Sequence, residues 1–264
     1  MKSHFSYDLN RFNTLEEEII RLDKQHSHFN KFETKKLTEL GVNKTSRILE
    51  IGSGTGSITK TLASLTPGGK VTAIEKEIQF KKMWQTNLKD FKNAELVIGD
   101  SFEVLPMLQH VFDFAYLRFV LQHIKKPHEL LKLIFEKLDK GGKLIITDID
   151  DQLTFCYPHS EKLDNLLNDV QIAQRQLGGD RFISRKLPTI LTQIGFKHIS
   201  CETICFTNTQ LSFQDIWRLN MGFKSSLVPS HSSNIVNLQY QLQVADEKSE
   251  LFYNVGVVVT TAQK

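Results

Sequence analysis

From residue 42 to residue 150, short apolar runs alternate with segments in which apolar residues recur at helical spacing. Each run has the length of a strand that is buried on both faces, and each intervening segment has room for one helix. Strands that alternate with helices predict a parallel, doubly wound α/β sheet whose crossovers are right-handed. The runs are "SRILEIG", "KVTAIE", "AELVIGD", "FDFAYLRFV" and "KLIITDID".

Two more strand-like runs, "FKHISCETICF" and "ELFYNVGVVVTT", bring the predicted sheet to seven mostly parallel strands with helices on both faces. The first forty residues predict two helices, because Thr14 and Glu17 fit a capping box at the start of one and Gly41 suits the end of the other. Between residues 151 and 186 the alternation loosens, which predicts an insert after the fifth strand. A further helix is expected around Trp217.

The composition is that of an ordinary globular protein, with 264 residues, 40% apolar and 24% charged. The net charge of +3 is spread along the chain, whereas nucleic-acid binders concentrate positive charge in a patch, so no nucleic-acid partner is expected. No signal-peptide pattern and no apolar run of about 18 residues occurs, so we expect a cytoplasmic protein without a membrane partner. The three cysteines predict neither a disulfide framework nor a zinc site, and Cys201 and Cys205 are expected to be buried thiols.

The stretch "ILEIGSGTGS" ends a predicted strand and opens a predicted helix, with glycines at positions 52, 54 and 56. Such a loop, at the carboxyl end of a parallel strand, is typical of nucleotide sites. The triphosphate-binding loop is excluded, because Ser57 and Ile58 stand where Lys and Ser/Thr are required. The dinucleotide fingerprint is excluded because position 57 is neither Gly nor Ala. A different nucleoside cofactor, or a tight turn without a ligand, remains.

Acidic residues end the next two predicted strands. Glu75 follows the loop by about twenty residues, where a carboxylate can accept two hydrogen bonds from a ribose diol. Asp100 ends the third strand in "VIGDSFEVL". The carboxyl ends of parallel strands lie at one edge of the sheet, so the loop and the two acids predict a common site.

Six stretches carry a resemblance to a known family: "VNKTSRILEIGSGTGSITKTLA", "KVTAIEKE", "LVIGDSFE", "FDFAYLRFVLQHIKKPHELL", "LDKGGKLIITDID" and "ILTQIGF". In this order they resemble the motifs of the class I S-adenosylmethionine-dependent methyltransferases. The resemblance covers about residues 42–196, and the final strand fits it too. It implies S-adenosyl-L-methionine as cofactor and methyl transfer as activity.

The resemblance also assigns roles to residues. It places the methionine part of the cofactor beside the glycine loop, the ribose hydroxyls on Glu75, and the adenine amino group on Asp100. The stretch after the fourth strand would approach the cofactor through the Arg118 backbone and through Gln122 or His123. The cofactor-binding residues that the resemblance implies are Gly52, Ser53, Gly54, Gly56, Glu75, Lys76, Asp100, Ser101, Phe102, Arg118 and Gln122.

The segments "EEIIRLDKQHSHF" and "GGDRFISRKLP" resemble more narrowly a bacterial subgroup that methylates small molecules. In that subgroup the N-terminal helices and the insert after strand five form a lid over the cofactor, so Arg21 and Gln25 are candidate lid residues, Gln25 as a cofactor contact. The chain is then one methyltransferase domain, 1–264. Its predicted parts are an N-terminal helical cap (1–41), a cofactor-binding half (42–150), a lid insert (151–186) and C-terminal strands (187–264).

Methyl transfer from an activated sulfonium depends mainly on proximity and orientation, and a general base is needed only if the acceptor must lose a proton early. His123 is the candidate catalytic base, with a hydrogen-bonded structural role as the alternative. Tyr157 and His159 are candidate acceptor contacts.

A metal-dependent mechanism is also considered, because the acidic stretch "TDIDD" holds Asp148, Asp150 and Asp151. Strand four ends without an acid, however, so no metal is expected. After strand four, "LRFV" stands where enzymes that methylate exocyclic amino groups on adenine or glutamine have an Asn/Asp-Pro-Pro-Tyr/Phe motif. The sequence therefore disfavours that class of methyltransferase. Aromatic residues that could line an acceptor pocket or belong to the core are Phe155, Tyr157, Phe206, Phe213, Trp217 and Phe223.

These patterns together predict a methyltransferase that acts on a small organic acceptor. Three alternatives stay open: a methyltransferase for protein or RNA, a non-catalytic cofactor-binding protein on the same fold, and a nicotinamide oxidoreductase. The acceptor, the methylated atom and the oligomeric state are not predicted.

Overall fold

The computed structural model describes residues 4–12 and 14–264. Five parallel strands form its centre in the order β3-β2-β1-β4-β5, so the strand order reverses between β1 and β4. In open α/β sheets such a reversal marks the place where ligands bind. The strands are β1 (Arg47–Ile51), β2 (Lys70–Glu75), β3 (Ala94–Ile98), β4 (Phe112–Arg118) and β5 (Leu138–Ile149).

The sheet continues beyond β5 with strands that include antiparallel pairs. β8 (Phe252–Gln263) pairs antiparallel with β5, and β7 (Lys197–Thr207) pairs with the other edge of β8. A short strand, β6 (Phe155–Tyr157), pairs with the first residues of β8. The predicted seven-stranded, mostly parallel sheet is therefore confirmed, with β6 as an additional eighth strand inside the insert.

Helices cover both faces of the sheet. Successive β1 residues point to opposite faces, and Ile48 and Leu49 accordingly belong to two different apolar clusters. Both side chains are fully buried. The helices are α1 (Leu15–Glu39), α2 (Ser57–Leu65), α3 (Lys81–Asn87), α4 (Ser101–Met107), α5 (Pro127–Lys137), α6 (Glu161–Gln176), α7 (Ile183–Ile194), α8 (Phe213–Leu227) and α9 (Ser232–Glu247).

Two expectations were wrong, and one helix was missed. The two N-terminal helices are one continuous helix, α1, which Thr14 caps by accepting a hydrogen bond from the Glu17 backbone N–H; no Gly or Pro interrupts it. Helix α9 was not predicted. Cys201 and Cys205 are exposed rather than buried, because β7 lies at the edge of the sheet.

Within the described residues, no helix combines the length and the apolar character that crossing a membrane requires. The division of the chain at residues 41, 150 and 186 stays a prediction.

Candidate active site

A cavity lies at the carboxyl ends of β1, β2 and β4, where the strand order reverses. We call the part formed by Glu50, Gly52–Gly54 and Glu75 the loop side. We call the part formed by His123, Asp151, Arg181, Phe223 and Lys224 the cationic side. The sequence-predicted site residues that line the cavity are Gln25, Gly52, Ser53, Gly54, Glu75, Lys76, Ser101, Arg118, Gln122 and His123.

The backbone of the glycine loop takes a form that side chains disfavour. Gly52 has a φ of +73°, and a Cβ there would lie 2.6 Å from Cγ2 of Val120. Gly56 differs, because it does not line the cavity. It stands directly before α2 with a φ of +82°, and a Cβ would lie 2.7 Å from Cδ1 of Trp84. Gly56 thus allows α2 and α3 to approach each other, while Gly52 keeps the loop open toward the cavity.

Glu75 ties the glycine loop to the end of β2. One carboxylate oxygen accepts the Gly54 N–H at 2.7 Å, and the other accepts the Glu77 N–H at 2.8 Å. Burial raises the pKa of Glu75, and the backbone N–H groups of Glu77, Gly54 and Lys76 oppose that rise. A carboxylate offers about four acceptor positions, so Glu75 retains acceptor capacity for a ligand.

Three buried polar atoms of the cavity wall have no hydrogen-bond partner within the described part of the chain. They are Oε2 of Glu50, Oγ of Ser53 and Oγ of Ser101. Burial raises the pKa of Glu50 to about 7. Buried polar groups are nearly always paired, so these atoms indicate the place of a polar ligand.

Asp100 and Phe102 do not line the cavity. One Asp100 oxygen accepts from the Phe102 N–H at 2.9 Å and caps α4, and the other contacts Nδ1 of His4 at 2.8 Å. The His4 ring packs on Phe102 with 4.6 Å between ring centroids. Beside it, the ammonium of Lys76 lies 4.9 Å from the ring centroid of Phe5. An N-terminal segment therefore covers the predicted adenine residues.

The remaining predicted contacts are held by ion pairs and hydrogen bonds. Arg118 pairs with Glu33 at 3.2 Å. Arg21, on the same helix as Gln25, donates two 2.6 Å hydrogen bonds to Glu18. The side-chain oxygen of Gln122 accepts from Nη1 of Arg181 at 2.6 Å.

His123 is buried on the cationic side. Gln174 uses its amide oxygen to accept from Arg181 at 3.3 Å, so its NH₂ group is the donor toward the Gln122 carbonyl at 2.9 Å and toward Nδ1 of His123 at 3.2 Å. Oγ of Ser6 lies 3.3 Å from the same nitrogen and can donate to it as well. Because Nδ1 faces the Gln174 donor, we assign the ring proton to Nε2. Burial, with Arg181 and Arg21 nearby, holds the pKa of His123 well below its usual range.

Asp151 lies at the centre of a buried charge cluster. It accepts from Nε and Nη2 of Arg181 at 2.8 and 3.0 Å, and its Oδ1 lies 2.9 Å from Nζ of Lys224. These partners hold the pKa of Asp151 at about 2 despite its burial. Burial lowers the pKa of Lys224 to about 8, against the opposing pull of Asp151.

The other acids of "TDIDD" have separate partners. Asp148 accepts backbone N–H groups of Ile149 and Gln122, and Asp150 binds Arg185. Across residues 4–12 and 14–264, no group of three or more His, Cys, Asp or Glu side chains is arranged to hold a metal ion.

The two candidate acceptor contacts of the insert lie outside the cavity. Tyr157 is 73% exposed and His159 faces Asp164. Of the six aromatic candidates, Phe223 lines the cavity, while Phe213 and Trp217 belong to an apolar cluster with α6 and α9. Tyr7, which the sequence did not indicate, also lines the cavity and stacks on Phe223; that these rings contact an acceptor stays a prediction.

Sequence reasoning missed Glu50, Arg181, Asn220 and Lys224 as cavity residues. A signal for two of them existed, since Asn220 and Lys224 fall on the buried stripe of α8 together with Ile216 and Met221. Polar residues that interrupt an apolar helix face are unusual.

The fold, the switch-point cavity and the glycine loop define a doubly wound protein that binds a nucleoside cofactor. A family model described as "Methyltransferase domain" matches residues 42–220. The chain belongs to this family, among the class I S-adenosylmethionine-dependent methyltransferases.

Methyltransferase str2 of Strobilurus tenacellus is 33% identical over 135 residues, which cover 51% of this chain and 47% of that protein. The chain spans about half the length of the curated relatives it matches. In fold it is similar to phosphoethanolamine N-methyltransferase 2 of Haemonchus contortus, with a TM-score of 0.62, 18% identity, and coverage of 97% of this chain and 59% of that one. A methyltransferase of Archaeoglobus fulgidus has a TM-score of 0.55 and 18% identity, over 90% and 97% of the two chains.

Proposed function

We propose that this chain transfers a methyl group from S-adenosylmethionine to a small organic acceptor. The observation that carries the proposal is a shared cavity: the glycine loop and Glu75 line one side, and polar and aromatic side chains of α1, α8 and the insert line the other. A cavity between the sheet edge and these helices suits a small acceptor better than a protein segment or an RNA strand.

The loop side fits the cofactor in its residue types. The free acceptor positions of Glu75 suit the ribose diol, and Ser53 and Ser101 offer buried hydroxyls that lack partners in the described structure. The cofactor has no phosphate, so the site needs no lysine in the loop, and "GSGTGS" has none. When bound, S-adenosylmethionine supplies an activated methyl group. Asp100 and Phe102, with His4 against them, stay proposed adenine contacts.

The chain's own contribution to the reaction is enclosure and orientation. Tyr7 donates a 2.6 Å hydrogen bond to Glu18, which also holds Arg21, so the N-terminal segment and α1 form one hydrogen-bonded wall. This wall excludes water and holds the acceptor near the loop side.

We assign His123 a donor role in place of the general-base role expected earlier. Its Nδ1 faces the Gln174 amide, and its low pKa keeps the ring neutral. Nε2–H can then orient an acceptor oxygen by donating a hydrogen bond, whereas a base would need an unprotonated nitrogen toward the acceptor.

Thermal melting with S-adenosylmethionine, S-adenosylhomocysteine and NAD(H) tests the cofactor assignment. A ligand at about 100 times its Kd stabilises by about 2.7 kcal/mol, a shift of roughly 5–10 °C for a domain near this size. Glu75→Ala is expected to remove most of that shift, and Glu136→Ala, which changes an exposed carboxylate on α5, to retain it. A shift with NAD(H) alone contradicts the proposal.

Methyl transfer itself is tested with isotope-labelled S-adenosylmethionine, a library of small organic acceptors, and mass-spectrometric detection. Cofactor binding without any labelled product would favour a non-catalytic binding protein. Salt-dependent affinity for RNA would favour a macromolecular acceptor. The cytoplasmic location and the lack of a nucleic-acid partner stay predictions.

A further inference from the structure

Lys224 is a buried lysine that lines the cavity. It lies on α8, is 2% exposed, and contacts Asp151 at 2.9 Å. It also donates a hydrogen bond to the side-chain oxygen of Asn220, one turn earlier on the helix. A lysine is rarely buried to this degree unless something compensates its charge.

Asp151 compensates only part of the charge around it. Lys224 and Arg181 are two cations, and Asp151 is the one carboxylate in direct contact with either of them among the described residues. The next ion pair of the wall, Arg21 with Glu18, is balanced by itself. Among groups in direct contact, the cationic side therefore carries an excess of one positive charge when Lys224 is protonated.

The two cations differ in how many of their N–H donors already have partners. Arg181 directs its N–H groups to Asp151, Gln122 and Gln174, all buried, and thereby holds the cluster together. Lys224 has three donors and contacts Asp151 and Asn220, so one N–H remains for a ligand. The uncompensated charge and the remaining donor thus coincide on Lys224.

Aromatic rings line the same cavity as this ammonium. Phe223 precedes Lys224 on α8 and lies nearly parallel to Tyr7 with 5.9 Å between centroids, while the His123 ring meets its edge at 4.7 Å. All three side chains line the cavity. An apolar wall and a buried cation in one cavity suit an organic molecule with a flat apolar body and one anionic end.

We propose that the methyl acceptor is a small aromatic or unsaturated carboxylic acid whose carboxylate binds Lys224 and whose apolar body packs against Phe223 and Tyr7. This inference rests on the proposed function, because the bound acid is a methyl acceptor only if the chain transfers methyl groups. Recognition of the carboxylate itself can be measured as binding, without any turnover. A carboxylate would neutralise the excess charge and take the remaining N–H in one charge-assisted hydrogen bond.

The test is isothermal titration of the full chain saturated with S-adenosylhomocysteine. The probes are benzoate, phenylacetate and cinnamate, each compared with its primary amide, which has nearly the same shape and no charge. We expect the acid of at least one pair to bind on the order of ten-fold more tightly than its amide. Equal affinities within every pair, or no binding of any of the three acids at millimolar concentration, overturns the proposal.

A variant locates the effect. Lys224→Met keeps the length of the side chain and removes the ammonium, so the preference for acid over amide is expected to disappear. Lys162→Met, on the exposed face of α6, is the matched control and is expected to keep it. Retained binding of S-adenosylhomocysteine shows that Lys224→Met is folded. A preserved acid preference in this variant contradicts the assignment to Lys224.

The pH dependence of the unmodified chain gives a second readout that needs no variant. Benzoate stays anionic above about pH 6, while Lys224, with a pKa of about 8, loses its charge as the pH rises through that value. Benzoate affinity is expected to fall between about pH 7.5 and 9 and benzamide affinity to stay level. A level benzoate profile counts against the proposal.

The other titratable groups near Lys224 have pKa values outside that window. The pKa of His123 lies well below its usual range, that of Asp151 is about 2, and those of Tyr7 and Tyr253 are raised above the usual value by burial. Glu50 and Asp148 have pKa values of about 7 and titrate earlier. Guanidinium groups of arginine stay charged throughout this range.

The two proposals fail in different ways. If S-adenosylhomocysteine does not bind, the proposed function fails before any acid is added. If it binds and the acids and amides do not differ, the methyltransferase assignment stands and the carboxylate inference fails.

Discussion

The two sides of the cavity are built differently. The loop side consists of backbone and side chains at the ends of neighbouring parallel strands, and its key contact, Glu75 to the Gly54 N–H, joins β2 to the loop after β1. The cationic side joins Asp151 and Arg181, from the two ends of the insert, to Lys224 on α8. The first follows from the topology of the sheet, whereas the second exists only when the insert and α8 are packed.

The sides also differ in charge. Two buried carboxylates, Glu50 and Glu75, line the loop side, and two buried cations share one carboxylate on the other. A cationic cofactor and an anionic acceptor would each meet complementary charge. Changes on the cationic side should therefore affect stability most, because buried charges there depend on each other.

The largest expected effect is that of Asp151→Ala. It leaves Arg181 and Lys224 buried without a carboxylate, and removal of one member of a buried ion pair costs about 3–5 kcal/mol. Urea unfolding followed by circular dichroism measures the loss. The control Asp90→Ala removes an exposed carboxylate and should stay within about 0.5 kcal/mol of the unmodified chain. A loss below about 1 kcal/mol for Asp151→Ala would show that the cluster is solvated.

The same contrast explains which parts of the fold and of the cavity could be predicted from the sequence. The strand pattern, the glycine spacing and the position of Glu75 can each be recognised in a short stretch of sequence. The structure has the strands, the loop after β1 and Glu75 at the end of β2 where these stretches predicted them. Helix α9 left a readable signal, since Ile235, Leu238 and Leu242 recur at helical spacing and are buried. Contacts of the cationic side have no such signal, because no local rule pairs Asp151 with Lys224.

The next effect is a pH dependence of stability that originates on the loop side. The pKa of Glu50 is about 7 in the folded chain and about 4.3 when unfolded, so the folded state binds more protons between these values. The free energy of unfolding should therefore fall as the pH rises from about 4.5 to 7, with a contribution from Glu50 of about 3 kcal/mol. Above about pH 8 this contribution stays constant.

Glu50→Gln tests this assignment, since it removes the titrating group and retains the shape. Urea unfolding at several pH values should show a smaller slope for the variant, with the part due to Asp148 still present. The exposed-site variant Glu136→Gln should follow the unmodified chain. Parallel profiles for Glu50→Gln and the unmodified chain would show that Glu50 is ionised throughout.

A smaller effect separates two glycines of the loop. Gly52 and Gly54 both have positive φ, at +73° and +54°, which costs an alanine about 1–2 kcal/mol. At Gly52 the new Cβ would also lie 2.6 Å from Val120, whereas at Gly54 its nearest neighbour is Leu22 at 3.7 Å. Gly52→Ala should therefore destabilise by at least about 1 kcal/mol more than Gly54→Ala in the same unfolding measurement. Equal losses would mean that Val120 moves aside freely.

The smallest effect concerns Asp100, the proposed adenine contact, whose carboxylate His4 also contacts. Asp100→Asn keeps a residue that caps α4 equally well and removes the charge toward both His4 and a cofactor amino group. Charge-assisted hydrogen bonds are roughly twice as strong as neutral ones, so the Kd for S-adenosylhomocysteine should rise by about five-fold. His4→Ala removes a partly exposed partner of the same carboxylate and should change that Kd by less than about two-fold. Isothermal titration of both variants with S-adenosylhomocysteine measures the two changes in Kd. If His4→Ala weakens binding more than Asp100→Asn does, the N-terminal segment, and not Asp100, holds the adenine end of the cofactor.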